Sequence, residues 1–407
     1  MAFAAEPEVE ATVHGDVKSF FFGVFPYQHP FMPPDPVAQG ILDLRLKLDV
    51  HFGDIARLEV HHSVTAISAG EVSGGVFQTG VVGEFPEAVD LSWDAVEEGT
   101  MTLGGRTDRL VLTTHLGPVD VAVGRQPISF GSASMFTPLD LVGPFNPAVV
   151  DQEYKPGYDA VRADAYFGMA GKVTVVGAYA GDWDREGLVA AAWGQGTIGV
   201  TDLGLLLGEV RADHVVGASL STSIGPIGVY ADAAVTVPEE EDTFVRAVVG
   251  ALWRPAEDST LYGEAYLQTL GAGNPDDYLA FALSDRFANG ELWLMGRGYL
   301  GLAWSQQLQP TLTASVAAVI NLGDGSALVP LTLGWSVAGN AEVAAGAYFG
   351  LGGRPEDFSL QSEFGLYPIT AFLQTKASRN RQTPVLAGWL INLEVAAPWG
   401  NGYAPPR

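Results

Sequence analysis

The chain has no cysteine, which excludes a disulfide framework and thiolate metal sites. It has little charge: 17% of its 407 residues are Asp, Glu, Lys or Arg, where soluble domains carry about 25%. Basic residues are the scarcer sign, 21 against 47 acidic, for a formal net charge of -26. That balance excludes the basic face a nucleic-acid partner requires, so no nucleic acid is expected. No apolar run reaches about 18 uninterrupted residues, which excludes a transmembrane helix. Nucleophile-elbow, H-E-x-x-H and Walker patterns are missing as well. His61 and His62 are adjacent, and adjacent strand residues face opposite sides, so they do not share a metal. No catalytic, cofactor-binding or metal-binding residue is therefore assigned, and no cofactor is expected.

What is present is alternation. Apolar residues make up 47% of the chain, and they fall at every second position. Leu42, Leu44, Leu46, Leu48, Val50 and Phe52 share one face; Asp43, Arg45, Lys47, Asp49 and His51 share the other. The same period recurs over 57-66, 161-167, 229-236, 245-254, 311-321 and 385-395. Period two means half-buried strands. The runs last about 9–12 residues, the length of a tilted strand crossing a bilayer, whereas strands of soluble sandwiches are nearer 5–6. Lipid leaves no backbone group unpaired, so such strands must close into a ring.

The expected fold is therefore all-β: a transmembrane antiparallel β-barrel of about 16–20 strands. Short connections (53-54, 116-118, 168-171, 225-226, 254-259, 338-340, 367-368) fall between long ones. This is the asymmetry of short periplasmic turns and long outer loops. Residues 1-12 are read as a periplasmic segment, 13-396 as the barrel and 397-407 as a loose tail. Ala2-Phe3-Ala4 has the look of a signal-peptide end, so a mature outer-membrane chain is expected. The nine tryptophans are scattered, several near strand ends where an interfacial girdle would stand.

Residues Gly124-Arg125-Gln126-Pro127-Ile128-Ser129-Phe130-Gly131 and Phe136-Thr137-Pro138-Leu139-Asp140-Leu141 resemble a strand-plus-loop element of large porin-like outer-membrane families. There a Gly-Arg-Gln strand end leads into a long loop with a Pro-x-Asp step. The match spans about residues 119-165 and names no substrate. It implies a channel without cofactor, often with a loop folded into the lumen. Here that loop is 127-158, rich in Pro and Phe, with Asp140, Asp151, Glu153 and Lys155 expected at its narrowest point. An exposed surface loop is the alternative.

The remaining pore-lining candidates come from strand phase: Lys18, Arg45, Lys47, Arg57, Glu59, Arg162, Asp164, Arg246 and Arg297. Arg125 tests that phase. Val119, Val121 and Val123 set an outward row, and an Arg at the bilayer midplane costs about 2–4 kcal/mol. A bulge at Gly124 turning Arg125 inward is expected, with a rim position as the other solution. Charges of both signs on the inner face suit a wetted pore, or equally a paired network that plugs the barrel.

The acidic excess gathers in the long connections, where solvation explains it better than a cation site, because no EF-hand spacing occurs. The expected function is passive diffusion of small polar or charged solutes across an outer membrane, with lipid and solutes or ions as partners. A homotrimer is left open as its assembly. The alternatives are a closed structural or adhesive barrel, and a barrel hydrolase with His115 or His214 at the rim.

Overall fold

A computed structural model describes residues 9–26, 35–69, 86–98, 100–143, 153–168, 170–239, 241–354 and 361–378. The sequence's period-two runs form the strands β1 (Val9–Phe25), β2 (Val37–Phe52), β3 (Ala56–Ala69), β4 (Ser92–Glu98), β5 (Met101–Leu116), β6 (Val119–Gln126), β7 (Tyr158–Phe167), β8 (Gly171–Tyr179), β9 (Leu188–Ile198) and β10 (Thr201–Val210). They continue as β11 (Asp213–Ile224), β12 (Ile227–Val237), β13 (Phe244–Ala256), β14 (Ser259–Gln268), β15 (Gly298–Gln309), β16 (Leu312–Asn321), β17 (Ala327–Ala338), β18 (Ala341–Leu351) and β19 (Ile369–Ser378). All neighbours pair antiparallel, and β1 pairs with β19 from Asp16↔Ser378 to Phe25↔Ile369, so the ring is closed. The barrel has 18 strands, inside the expected range. β4 adds no place to the ring: it lies end-on to β6, against the Met101–Arg106 stretch of β5, while β6 takes Leu110–Leu116.

Alternation survives almost everywhere, and its sense is inverted from a soluble protein. Leu42, Leu46, Val161, Val175, Leu205 and Val249 are about half exposed on the outer face, while Lys18, Asp43, Arg45, Asp164, Asp232 and Glu264 are buried inside. Soluble monomers do not expose contiguous apolar surface on this scale. An acyl-chain belt accounts for it. Trp253, Trp304 and Trp335 stand exposed near the short-turn ends of their strands, joined there by Tyr166 and Phe167. Trp193 departs from the girdle expectation. It faces inward, 7% exposed, with its ring 5.9 Å from that of Phe130.

The short turns gather at one end of the barrel, with two corrections. Tyr367-Pro368 belongs to the long connection before β19, at the opposite end. Arg211 and Ala212 form a tight turn at the long-loop end, both with positive φ (49° and 71°). β1 begins at Val9, so part of the segment 1-12 is strand. The run 385-395 lies outside the described residues. The ring is complete without it.

The interior is divided. Along β8–β12, inward Val176, Ala178, Val189, Ala191, Trp193, Leu206, Val215 and Ala234 make an apolar arc. Ile128, Phe130, Leu139, Leu141 and Val142 pack on that arc, which brings the connection after β6 inside the ring. A second aromatic cluster, with Phe20, Phe22, Phe136, Tyr266, Tyr299, Phe364 and Phe372, joins the opposite wall to the same connection.

Candidate functional site: a charged wall facing an inner loop

The connection after β6 is held by two carboxylates of the inner wall. The Ser132 and Ala133 amides donate to Asp232 Oδ2 at 2.8 and 2.9 Å. The Ser134, Met135 and Phe136 amides donate to Glu264 at 3.0, 3.3 and 2.7 Å, and Glu264 also accepts from the Tyr230 and Tyr262 hydroxyls. Five successive backbone donors thus end on β12 and β14, the side of the barrel away from the loop's own roots. Gly131 makes the approach possible. Its φ is +94°, and a Cβ there would lie 2.4 Å from Asp232 Oδ2.

The returning limb, 153-157, crosses to the charged wall on β19, β1, β2 and β5. Lys18 and Lys376 are direct cross-strand partners. Like charges so placed repel. Glu153 lies between them, 2.7 Å from Lys18 Nζ and 2.5 Å from Lys376 Nζ. Burial works to raise its pKa, but the two ammonium groups outweigh that and hold it down at about 2. The Tyr154 ring lies 4.8, 4.1 and 4.5 Å from Lys18 Nζ, Arg45 Cζ and Lys47 Nζ, within cation–π range. The Tyr154 hydroxyl donates to Asp16 Oδ2 at 2.9 Å, and Lys47 pairs with Asp16.

A β-bulge completes this wall. His61 pairs with Arg109 and His62 with Thr107, so Asp108 has no opposite residue. A bulge lets successive side chains reach one face, which strict alternation forbids. Asp108 pairs with Arg45, and Arg109 Nη2 donates to the Lys155 carbonyl at 2.6 Å. Lys155 itself closes the loop on its own outgoing limb, 2.5 Å from Asp140.

Of the residues expected to line a pore, Lys18, Arg45, Lys47 and Glu153 are brought together. Asp140 is buried in the loop on the apolar side, and Arg246 lies near it on β13. Arg57 and Glu59 sit toward the short-turn end, where Arg57 Nε is 2.8 Å from Asp49 Oδ1 and its Nη2 is 3.4 Å from Glu59. Arg162 and Asp164 form a separate group with Lys172 on β7 and β8, at 3.0 and 2.9 Å from Asp164. Arg297 is not part of any of these. It is exposed at the long-loop end, where its Nε donates to the Gly271 carbonyl at 2.7 Å. Asp151 lies outside the described residues.

Arg125 is a correction. The register runs unbroken through Gly124 on both sides, so Arg125 keeps the outward row of Val123, opposite Leu110 and Asp159. It is nevertheless 1% exposed. Segment 86-91 folds over it: Arg125 bonds Asp159 at 3.0 and 2.9 Å, Glu87 at 2.8 Å and the Val89 carbonyl at 2.5 Å. The cost of an outward arginine is removed by a rim lid of protein, not by a bulge.

Sequence reasoning missed Tyr154, Asp108 and Arg109. The Glu153-Tyr154-Lys155 triplet was a readable signal for Tyr154; the bulge carried none. The rim histidines have acidic neighbours, His115 to Asp120 at 2.7 Å and His214 to Glu209 at 3.6 Å. Among the described residues neither bonds a serine, and no cluster of three or more metal-ligating side chains occurs.

No family model and no curated protein matches the sequence. Solved structures do match in fold. OccK9 (OpdG) of Pseudomonas aeruginosa superposes with a TM-score of 0.58 at 10% identity, over 91% of this chain and 98% of that one. OccAB1 of Acinetobacter baumannii gives 0.56 at 8% identity, over 92% and 99%. A BenF-like porin from Pseudomonas fluorescens Pf-5 gives 0.54 at 9% identity, over 91% and 98%. This chain thus has, over nearly its whole described length, the barrel fold of solved outer-membrane porins.

Proposed function

We propose that the chain is an outer-membrane channel for passive diffusion of small polar or charged solutes, with no covalent step. One observation carries the reading. A closed ring with an apolar outer face is crossed inside by a loop that packs on the apolar arc and reaches over to a wall of Lys18, Arg45, Lys47, Arg109 and Lys376. The constriction lies where Glu153, Tyr154 and Lys155 meet that wall, and Asp140 belongs to the loop that forms it. Arg57, Glu59, Arg162 and Asp164 line the exit toward the short turns, the periplasmic end. Arg246 belongs to the opposite wall.

A bound cation wall beside a mobile solute raises local anion concentration, an effect screened beyond about 8 Å at physiological salt. Lipid and solute are the partners, and a homotrimer is the assembly to test by native mass. A second reading, a closed structural barrel, draws on the amount of apolar packing inside the ring.

Single-channel recording of the refolded chain in a planar bilayer under a salt gradient separates the two. Discrete conductance steps with an anion-leaning reversal potential are expected. A folded, heat-resistant barrel that passes no current would overturn the channel reading and favour the closed barrel.

A further inference from the structure

Arg246 stands apart from the other inner cations. It is 9% exposed, and among the described residues it forms no direct ion pair, only a longer-range attraction to Asp140 and Glu291; its Nε has no hydrogen-bond acceptor. Thr236, on the adjacent strand and 3% exposed, likewise has a hydroxyl without a partner. Ala234↔Arg246 and Thr236↔Phe244 are register pairs, so the two groups are diagonal neighbours on the inner face. Both line one cavity, between the wall, the loop tip at Asp140 and Leu141, and the segment carrying Arg286 and Glu291.

The carboxylates around that cavity are already engaged. Asp140 is paired with Lys155 at 2.5 Å, Asp213 with Arg286 at 2.6 Å, and Glu291 with Arg286 at 3.1 Å. Arg246 is left with the face of the Phe244 ring, 6.0 Å from its Cζ. Burying a guanidinium without an acceptor is costly, so native proteins complete such sites with an anion. Val210, Val215 and Leu292 keep the surroundings apolar, which strengthens any pairing made there.

We infer that Arg246 and Thr236 form a binding site for a small oxyanion, a carboxylate or inorganic phosphate, which ties the loop tip to the β12–β13 wall. A planar or tetrahedral oxyanion accepts from the guanidinium fork and from the threonine hydroxyl together. The site is distinct from the Tyr154 wall and does not depend on whether the barrel conducts.

The test is isothermal titration calorimetry of the full chain, folded in detergent micelles with chloride as background, using sodium acetate and sodium phosphate as separate probes. Saturable binding of at least one probe is expected, weakened tenfold or more in R246Q and measurably in T236V, but unchanged in R254Q, at an exposed arginine near the short-turn end of β13. Acetate alone assigns the site to carboxylates, phosphate alone to the inorganic ion, and both to oxyanions generally. Should R246Q not fold, R246K keeps the charge but loses the Nε donor, and a similar weakening is expected. No saturable binding of either probe, or binding that R246Q or R246K leaves intact, overturns the proposal.

Discussion

Glu153 shows how one loop side chain settles a conflict written into the barrel. Two lysines face each other across β1 and β19, and a carboxylate from the loop gives both of them a counter-charge. The carboxylate that does so is held near a pKa of about 2 against an ordinary value of 4.5. A depressed carboxyl contributes stability that is present above its unfolded pKa and lost as pH falls through the folded one. The grip of segment 153-157 on the wall is therefore full above about pH 4.5 and fades toward pH 2. Limited proteolysis followed across that range should show the loop opening in the wild type. In Glu153→Gln the loop should already be looser at neutral pH, with the acid dependence flattened; an unchanged acid profile in the variant would remove Glu153 from this role.

Arg125 teaches a related point at the same scale. Its row is outward, as alternation demands, but the neighbours that bury it come from residues 86-91, far off in sequence. A charge in an outward row can be sheltered by a lid as well as by a change of phase.

At the scale of elements, the loop and the bulge matter most. The loop enters the ring because its apolar residues match an apolar arc and its backbone amides find two wall carboxylates. Gly131 is the pivot. With φ at +94° and Asp232 Oδ2 only 2.4 Å from where a Cβ would stand, Gly131→Ala should destabilise the docked loop by about 1–3 kcal/mol. Denaturant unfolding should show a small loss for the barrel, while cleavage rates within the loop rise severalfold. If loop protection were unchanged, the close approach to Asp232 would not be what seats it. The bulge at Asp108 acts on the other side, adding Asp108 and Arg109 to a wall that alternation alone would have given to one of them.

For the whole molecule, the decisive property is the inverted distribution of apolar surface. Leu205 is 53% exposed in the middle of β10, whereas Ile227 opens β12 at the short-turn end. Arginine at Leu205 should cost about 2–4 kcal/mol of folding free energy in liposomes, and at Ile227 about 0–1. Equal costs at the two positions would mean that the outer face does not meet a hydrocarbon layer.

Much of this architecture was legible because it is local. The period of two, the length of the runs, the apolar outer rows and the turn residues are properties of consecutive residues, and a bilayer punishes any departure from them. Hence the barrel, its inner and outer faces and a strand number near the true one followed from the sequence alone, as did membership of Lys18, Arg45 and Lys47 in the inner rows. What only the tertiary structure decided is which inner residues meet. Closure of β1 on β19, the bulge at Asp108, the docking of 127-143 on the apolar arc and the lid over Arg125 each join residues distant along the chain. No local period encodes such contacts, because they depend on ring size, stagger and the shape of the space that closure leaves inside.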